Sequence, residues 1–94
     1  MYCTYVLYSP SLDSHYIGQT QSLEQRLKAH AEGSTAETAQ AHDWQLIFKE
    51  SFVTRGEAMG LERKIKRARS RQSIRRYVTD ARNEIPEPIA QVDW

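Results

Sequence analysis

The sequence predicts an α+β domain, a three-stranded antiparallel sheet flanked by helices in the order β-β-α-β-α-α. Three observations carry this. Two short runs rich in aromatic and β-branched residues, 2–9 and 15–20, flank the turn formers Pro10, Ser11, Asp13 and Ser14. A third such run follows at 44–53. Between and after them lie stretches whose apolar residues recur at three and four positions, the helical period. Ninety-four residues suffice for one domain and not for two.

The first strand reads YCTYVLYS, with Tyr5 near its middle. PSLDS is the hairpin loop and HYIGQT the return strand. Gly18, inside that strand, predicts a bulge or a close backbone approach. The first helix opens at an S-x-x-Q capping box, Ser22 with Gln25, and runs through the apolar pair Leu23 and Leu27. Arg26 and His30 are also four apart and share a neighbouring stripe. Gly33 is a natural stop. Residues 33–43 are small and polar and form a long loop ending near His42, a surface position.

The third strand, WQLIFKESFV, carries Trp44, Leu46, Phe48 and Phe52 and is expected to be the best buried of the three. The second helix has its own capping box, Thr54 with Glu57, and a buried stripe of Ala58, Leu61, Ile65 and Ala68. Glu62 borders that stripe. After a break near Ser70, a third helix points Ile74, Tyr77 and Val78 inward and Arg71, Arg75 and Arg76 outward. The domain is expected to span 1–82 and an irregular tail 83–94, with Val92 and Trp94 able to dock back on it.

Composition narrows the function classes. Charged residues make up 27% of the chain, too many for a membrane protein, and no apolar run approaches the about 20 residues a span needs. The single cysteine, Cys3, excludes a multi-cysteine zinc site and a disulfide scaffold. The N-terminus lacks the layout of a signal peptide, so a cytoplasmic, soluble protein is expected. Net charge is only +1, but residues 63–76 hold eight bases and no acid, whereas 84–94 hold three acids and no base. That basic block, with Lys64, Lys66, Arg67, Arg69 and Arg71 at its centre, is the footprint of a polyanion and is expected to bind nucleic acid.

Any single tyrosine of the first hairpin is by default a half-buried packing residue. Their joint pattern is different. Tyr5 is followed by Tyr16-Ile17-Gly18, then by Arg26, then by His30 one helical turn on. This pattern resembles the GIY-YIG nuclease superfamily, and most closely its small stand-alone members, over residues 2 to 78. The tripeptide equivalent to GIY is Cys3-Thr4-Tyr5, which keeps only the tyrosine, while the second tripeptide is intact.

The resemblance implies a phosphodiesterase of the endonuclease type, acting on DNA before RNA, in repair or in processing of branched or damaged structures. It implies catalytic roles for Tyr5, Tyr16, Arg26, His30 and Glu62. Glu62, whose following Ile65-Lys66 fits the stand-alone members, is the ligand of one divalent ion, Mg²⁺ or Mn²⁺. One carboxylate suits such an ion, which retains several waters. Arg26 suits a phosphate oxygen. Water is the expected nucleophile and Tyr5 its base or positioning group. A phenol titrates near pH 10, so base catalysis requires a cation to lower it. Tyr16 would orient phosphate or water and His30 would relay the proton or hold Tyr5, and the sequence equally allows these roles to be exchanged among the three. No membrane partner is expected. A homodimer or a larger repair complex is the partner such a small nuclease implies, and no heptad or apolar patch announces either. The alternative is a non-catalytic nucleic-acid-binding module that uses the basic 63–76 segment.

Overall fold

A computed structural model describes residues 1–33, 38–68 and 70–85. Six elements follow in the expected order: β1 Tyr2–Ser9, β2 Ser14–Thr20, α1 Leu23–Ala31, β3 Gln45–Phe52, α2 Arg55–Ala68 and α3 Arg71–Thr79. They form an α+β domain with one antiparallel sheet in the order β2-β1-β3. Arg69, Val92 and Trp94 lie outside the described residues. Among the described residues, no helix is long and apolar enough to cross a membrane.

The central strand is β1, which corrects the expectation that β3 is the best buried. Cys3 to Ser9 are all buried, whereas β3 is an edge strand with only Ile47 and Phe48 buried. The reason is pairing: β1 is hydrogen-bonded on both sides. The free edge of β3 is closed differently. Glu84 N–H donates to the Lys49 carbonyl at 2.8 Å, and the Glu84 carboxylate accepts from Ser51 N–H at 2.5 Å. Asn83 ties β3 to α3, its amide donating to the carbonyls of Ile47 and Val78, both at 2.9 Å.

Successive side chains of a strand point to opposite faces, and here the faces differ. Val6, Tyr8, Ile17, Ile47 and Phe48 pack against Leu61 and Ile65 of α2 and Ile74 and Val78 of α3. Cys3, Tyr5 and Leu7 face the other way, onto Leu23 and Leu27 of α1, with Tyr16, Trp44 and Leu46 around them. Alternation along β3 is broken once. Val6 pairs with Phe48 but Leu7 pairs with Leu46, so Ile47 is an extra residue. That bulge sends Ile47 and Phe48 into the same core.

The helix ends divide sharply. Thr54 and Glu57 form the reciprocal box, Glu57 N–H donating to Thr54 Oγ1 and Thr54 N–H to Glu57 Oε1, each at 3.2 Å. Ser70 caps α3 through Ser73 N–H at 3.1 Å. Ser22 does not form the box expected of it. Its ψ of 88° departs from the extended 153° of Ser70, and its hydroxyl caps nothing. At the other end of α1, Gly33 takes φ +73° and stops the helix, as its sequence position predicts. Ala58, Leu61 and Ile65 form the buried stripe of α2; Ala68, at its last turn, is exposed. Thr4 Oγ1 donates to the Ala58 carbonyl at 2.6 Å and fastens α2 across β1.

Candidate active site

The site grows from the middle of β1. Tyr5 is fully buried and pairs in register with Gly18 of β2. A Cβ at Gly18 would lie 2.8 Å from the Tyr5 Oη and 2.9 Å from the ring carbon that bears it. No bulge interrupts the β1–β2 ladder. Gly18 is therefore required by the phenol of Tyr5 lying over it, a side-chain approach and not the backbone one the sequence predicted.

From Tyr5 a chain of polar contacts runs inward. Its Oη lies 2.9 Å from His30 Nε2, and His30 Nδ1 lies 2.8 Å from Thr38 Oγ1. Thr38 is itself buried, and its carbonyl accepts from the Trp44 indole N–H at 2.9 Å. If the phenol donates to Nε2, the ring proton sits on Nδ1 and is given to Thr38. The Tyr16 ring stands edge-on to His30 at 4.8 Å and tilted to Tyr5 at 6.2 Å.

Arg26 lies one turn before His30 on α1. Hydrogen bonding to Tyr5, the Tyr5 charge and Tyr16 all favour its charged form and raise its pKa. Its buried Nε has no hydrogen-bond partner among the described residues. A buried charged donor without a partner is costly. Burial dominates and pushes Tyr5 up to about 12; Arg26 opposes it only in part. Tyr5 is a neutral phenol at pH 7.

Glu62 stands apart from these four. It lies on α2, which packs on the opposite face of the sheet, and its carboxylate accepts from Lys66 Nζ at 2.7 Å. β2 is an edge strand, and a cavity of about 490 Å³ beside it is lined by Tyr16 and Trp44 from one side and by Lys66 from the other. Among the described residues no group of three or more His, Cys, Asp or Glu gathers. A single carboxylate, four-fifths shielded and already holding an ammonium group, fits an ion that takes few protein ligands and keeps its waters.

The basic block does not present one face. Lys66 borders the cavity beside β2, while Lys64 borders a different one with Glu50 and Arg82. Arg67 is exposed. Arg71 is bonded to Asp13 of the hairpin loop at 2.6 Å, and Tyr8 Oη donates to the same carboxylate at 2.7 Å. His42 is exposed, as expected. Sequence reasoning missed Thr38, a small residue in a polar loop with no signal of its own. It read Trp44 only as a strand residue, although an aromatic at the mouth of a polar loop is a usable signal.

Residues 1–77 match the GIY-YIG catalytic domain. The chain belongs to the GIY-YIG family. Family membership suggests a nuclease, with nucleic acid as its substrate. Relatives include UPF0213 protein YazA of Bacillus subtilis, 38% identical over 76% of this chain and 72% of its own length. A UPF0213 protein of Bacillus licheniformis is likewise 38% identical, over 76% of this chain and 73% of its own. No solved structure matches. GIY-YIG nucleases generally use divalent ions.

Proposed function

We propose that this GIY-YIG protein is a metal-dependent endonuclease that hydrolyses phosphodiester bonds in DNA, cytoplasmic, with branched or damaged structures as its targets. The observation that carries this reading is the convergence of Tyr5, Tyr16, His30 and Arg26 on one face of the sheet, with the Arg26 Nε left unpaired among the described residues. Arg26, partly exposed on α1, grips a non-bridging phosphate oxygen through its guanidinium group. Tyr16 orients the phosphate from the open side. A divalent cation held by Glu62 would supply Lewis acidity and stabilise charge on the leaving oxygen.

Tyr5 does not act as a standing phenolate, because burial holds its proton to about pH 12. It acts as a relay. The attacking water gives its proton to Tyr5 Oη as the phenol proton passes to His30 Nε2, 2.9 Å away. The imidazolium that results keeps its Nδ1–H on Thr38, at 2.8 Å. A second reading, a binding module without activity, is favoured by one contact, the Glu62–Lys66 ion pair that already satisfies the carboxylate. Under that second reading the basic segment with Lys64, Lys66, Arg67, Arg69 and Arg71 would contact phosphates from more than one side.

A cleavage assay on single-stranded, duplex, flapped and four-way-junction DNA and matching RNA, with Mg²⁺, Mn²⁺ or chelator, separates the two. Metal-dependent cutting that is lost in Glu62→Ala and Tyr5→Phe is the expected result. Binding to every substrate with no cutting of any would leave the binding module.

A further inference from the structure

The cavity beside β2 is larger than a phosphate requires and has the wrong lining for one. It encloses about 490 Å³, within the range of small-molecule sites. Two aromatic side chains, Tyr16 and Trp44, line it, with the amide of Gln40, the ring of His15 and the ammonium group of Lys66. The aromatic walls are held in place. Tyr16 is braced edge-on by His30, and the Trp44 indole is fixed by its bond to the Thr38 carbonyl. Both braces end on the same His30–Thr38 pair that supports Tyr5.

Rigid aromatic walls with a cation at the rim suit a flat, π-faced group that carries a phosphate. A hydrogen-bonding amide beside them suits the edge of such a group. A base inside a duplex is already stacked on its neighbours and offers no face; only an unpaired base does. We infer that this cavity is a nucleobase slot that takes one unpaired base next to the scissile phosphate, stacked against Tyr16 and Trp44. The inference rests on the placement of that phosphate at Arg26 proposed above. It makes Trp44 a specificity-determining residue and biases the enzyme toward single-stranded or flapped nucleotides.

The test is equilibrium binding in chelator, by fluorescence anisotropy, of a short single strand in which one base at a time is replaced by an abasic site. DNA and RNA versions are both run. The wild-type protein should lose about tenfold in affinity when one particular base is missing. Trp44→Leu should bind the intact strand about tenfold more weakly and be nearly indifferent to that base. Trp44→Phe, which keeps an aromatic face and loses the indole N–H, should retain most of the dependence. If Trp44→Leu does not fold, quenching of Trp44 fluorescence in a Trp94→Phe background, with intact against abasic strands, reads the same stacking. An abasic site that costs wild type and Trp44→Leu equally, or no position that matters, would overturn the slot. Cleavage by such a protein would leave the nuclease reading standing. Base-dependent affinity in a protein that never cuts would sustain the slot and sink the nuclease.

Discussion

Against α2 and α3 the sheet presents Val6, Ile17, Ile47 and Phe48, an apolar surface sealed by Leu61, Ile65, Ile74 and Val78. Against α1 the same strands present Tyr5 and Tyr16, and α1 answers with Arg26 and His30. The two faces are written in alternate residues, so Tyr16 and Ile17 are neighbours in sequence and belong to different worlds. One face holds the fold by burial. The other is buried too, but it spends burial on polar groups: a phenol raised to about 12, an imidazole between two hydroxyls, a guanidinium nitrogen with no partner among the described residues. Such groups are expensive to bury for stability alone, which is why this face reads as the chemical one.

The sharpest break between the faces should come at Arg26. Arg26→Ala removes a charge aimed at the phosphate and should lower the cleavage rate about 10²–10³-fold, while the melting temperature moves by only a few degrees. Rate measurement beside calorimetry checks both halves. Gly18→Ala puts a methyl 2.8 Å from the Tyr5 oxygen. It should cost about 1–3 kcal/mol in denaturant titration and weaken cleavage by displacing that phenol.

The chemical face also carries a pH signature. Tyr5 keeps its proton to about 12 in the folded protein against 10.0 for an ordinary phenol. The native state therefore binds the extra proton above pH 10, and its stabilisation is complete below that pH and lost as pH rises toward 12. Denaturant midpoints across that window should fall less steeply in Tyr5→Phe than in wild type. The smallest effect distinguishes two helix starts. Thr54→Ala should cost about 1 kcal/mol, because its hydroxyl caps α2, and Ser22→Ala only a few tenths.

What could be read in advance divides along physical lines. Periodicity and turn formers placed every element, and the Thr54–Glu57 box marked the start of α2 because local spacing alone determines it. The Ser22–Gln25 box has the same spacing and fails, because the backbone at Ser22 is set by the exit from β2. Strand order could not be read, because the apolar content of β3 does not reveal that its outer edge is closed by Asn83 and Glu84. The proximity of Tyr5, Tyr16 and His30 followed from pattern, but their energetics did not. A sequence shows that Arg26 is near Tyr5; it does not show that burial outweighs that charge. Thr38 was invisible, since its role exists only once the loop has folded beneath His30.

One paired measurement tests the division of labour most directly: single-turnover cleavage and thermal stability of Tyr16→Phe on β2 and Ile47→Ala on β3. Tyr16→Phe keeps its ring and loses one hydroxyl, and should cut at least about tenfold more slowly at an unchanged melting temperature. Ile47→Ala opens the apolar core, and should lose about 2–5 kcal/mol of stability while the folded protein cuts at the wild-type rate. If Tyr16→Phe cuts as well as wild type, or if both variants lose rate only in proportion to the stability they lose, the face that carries Tyr5, Tyr16, Arg26 and His30 is a packing surface and the account is wrong.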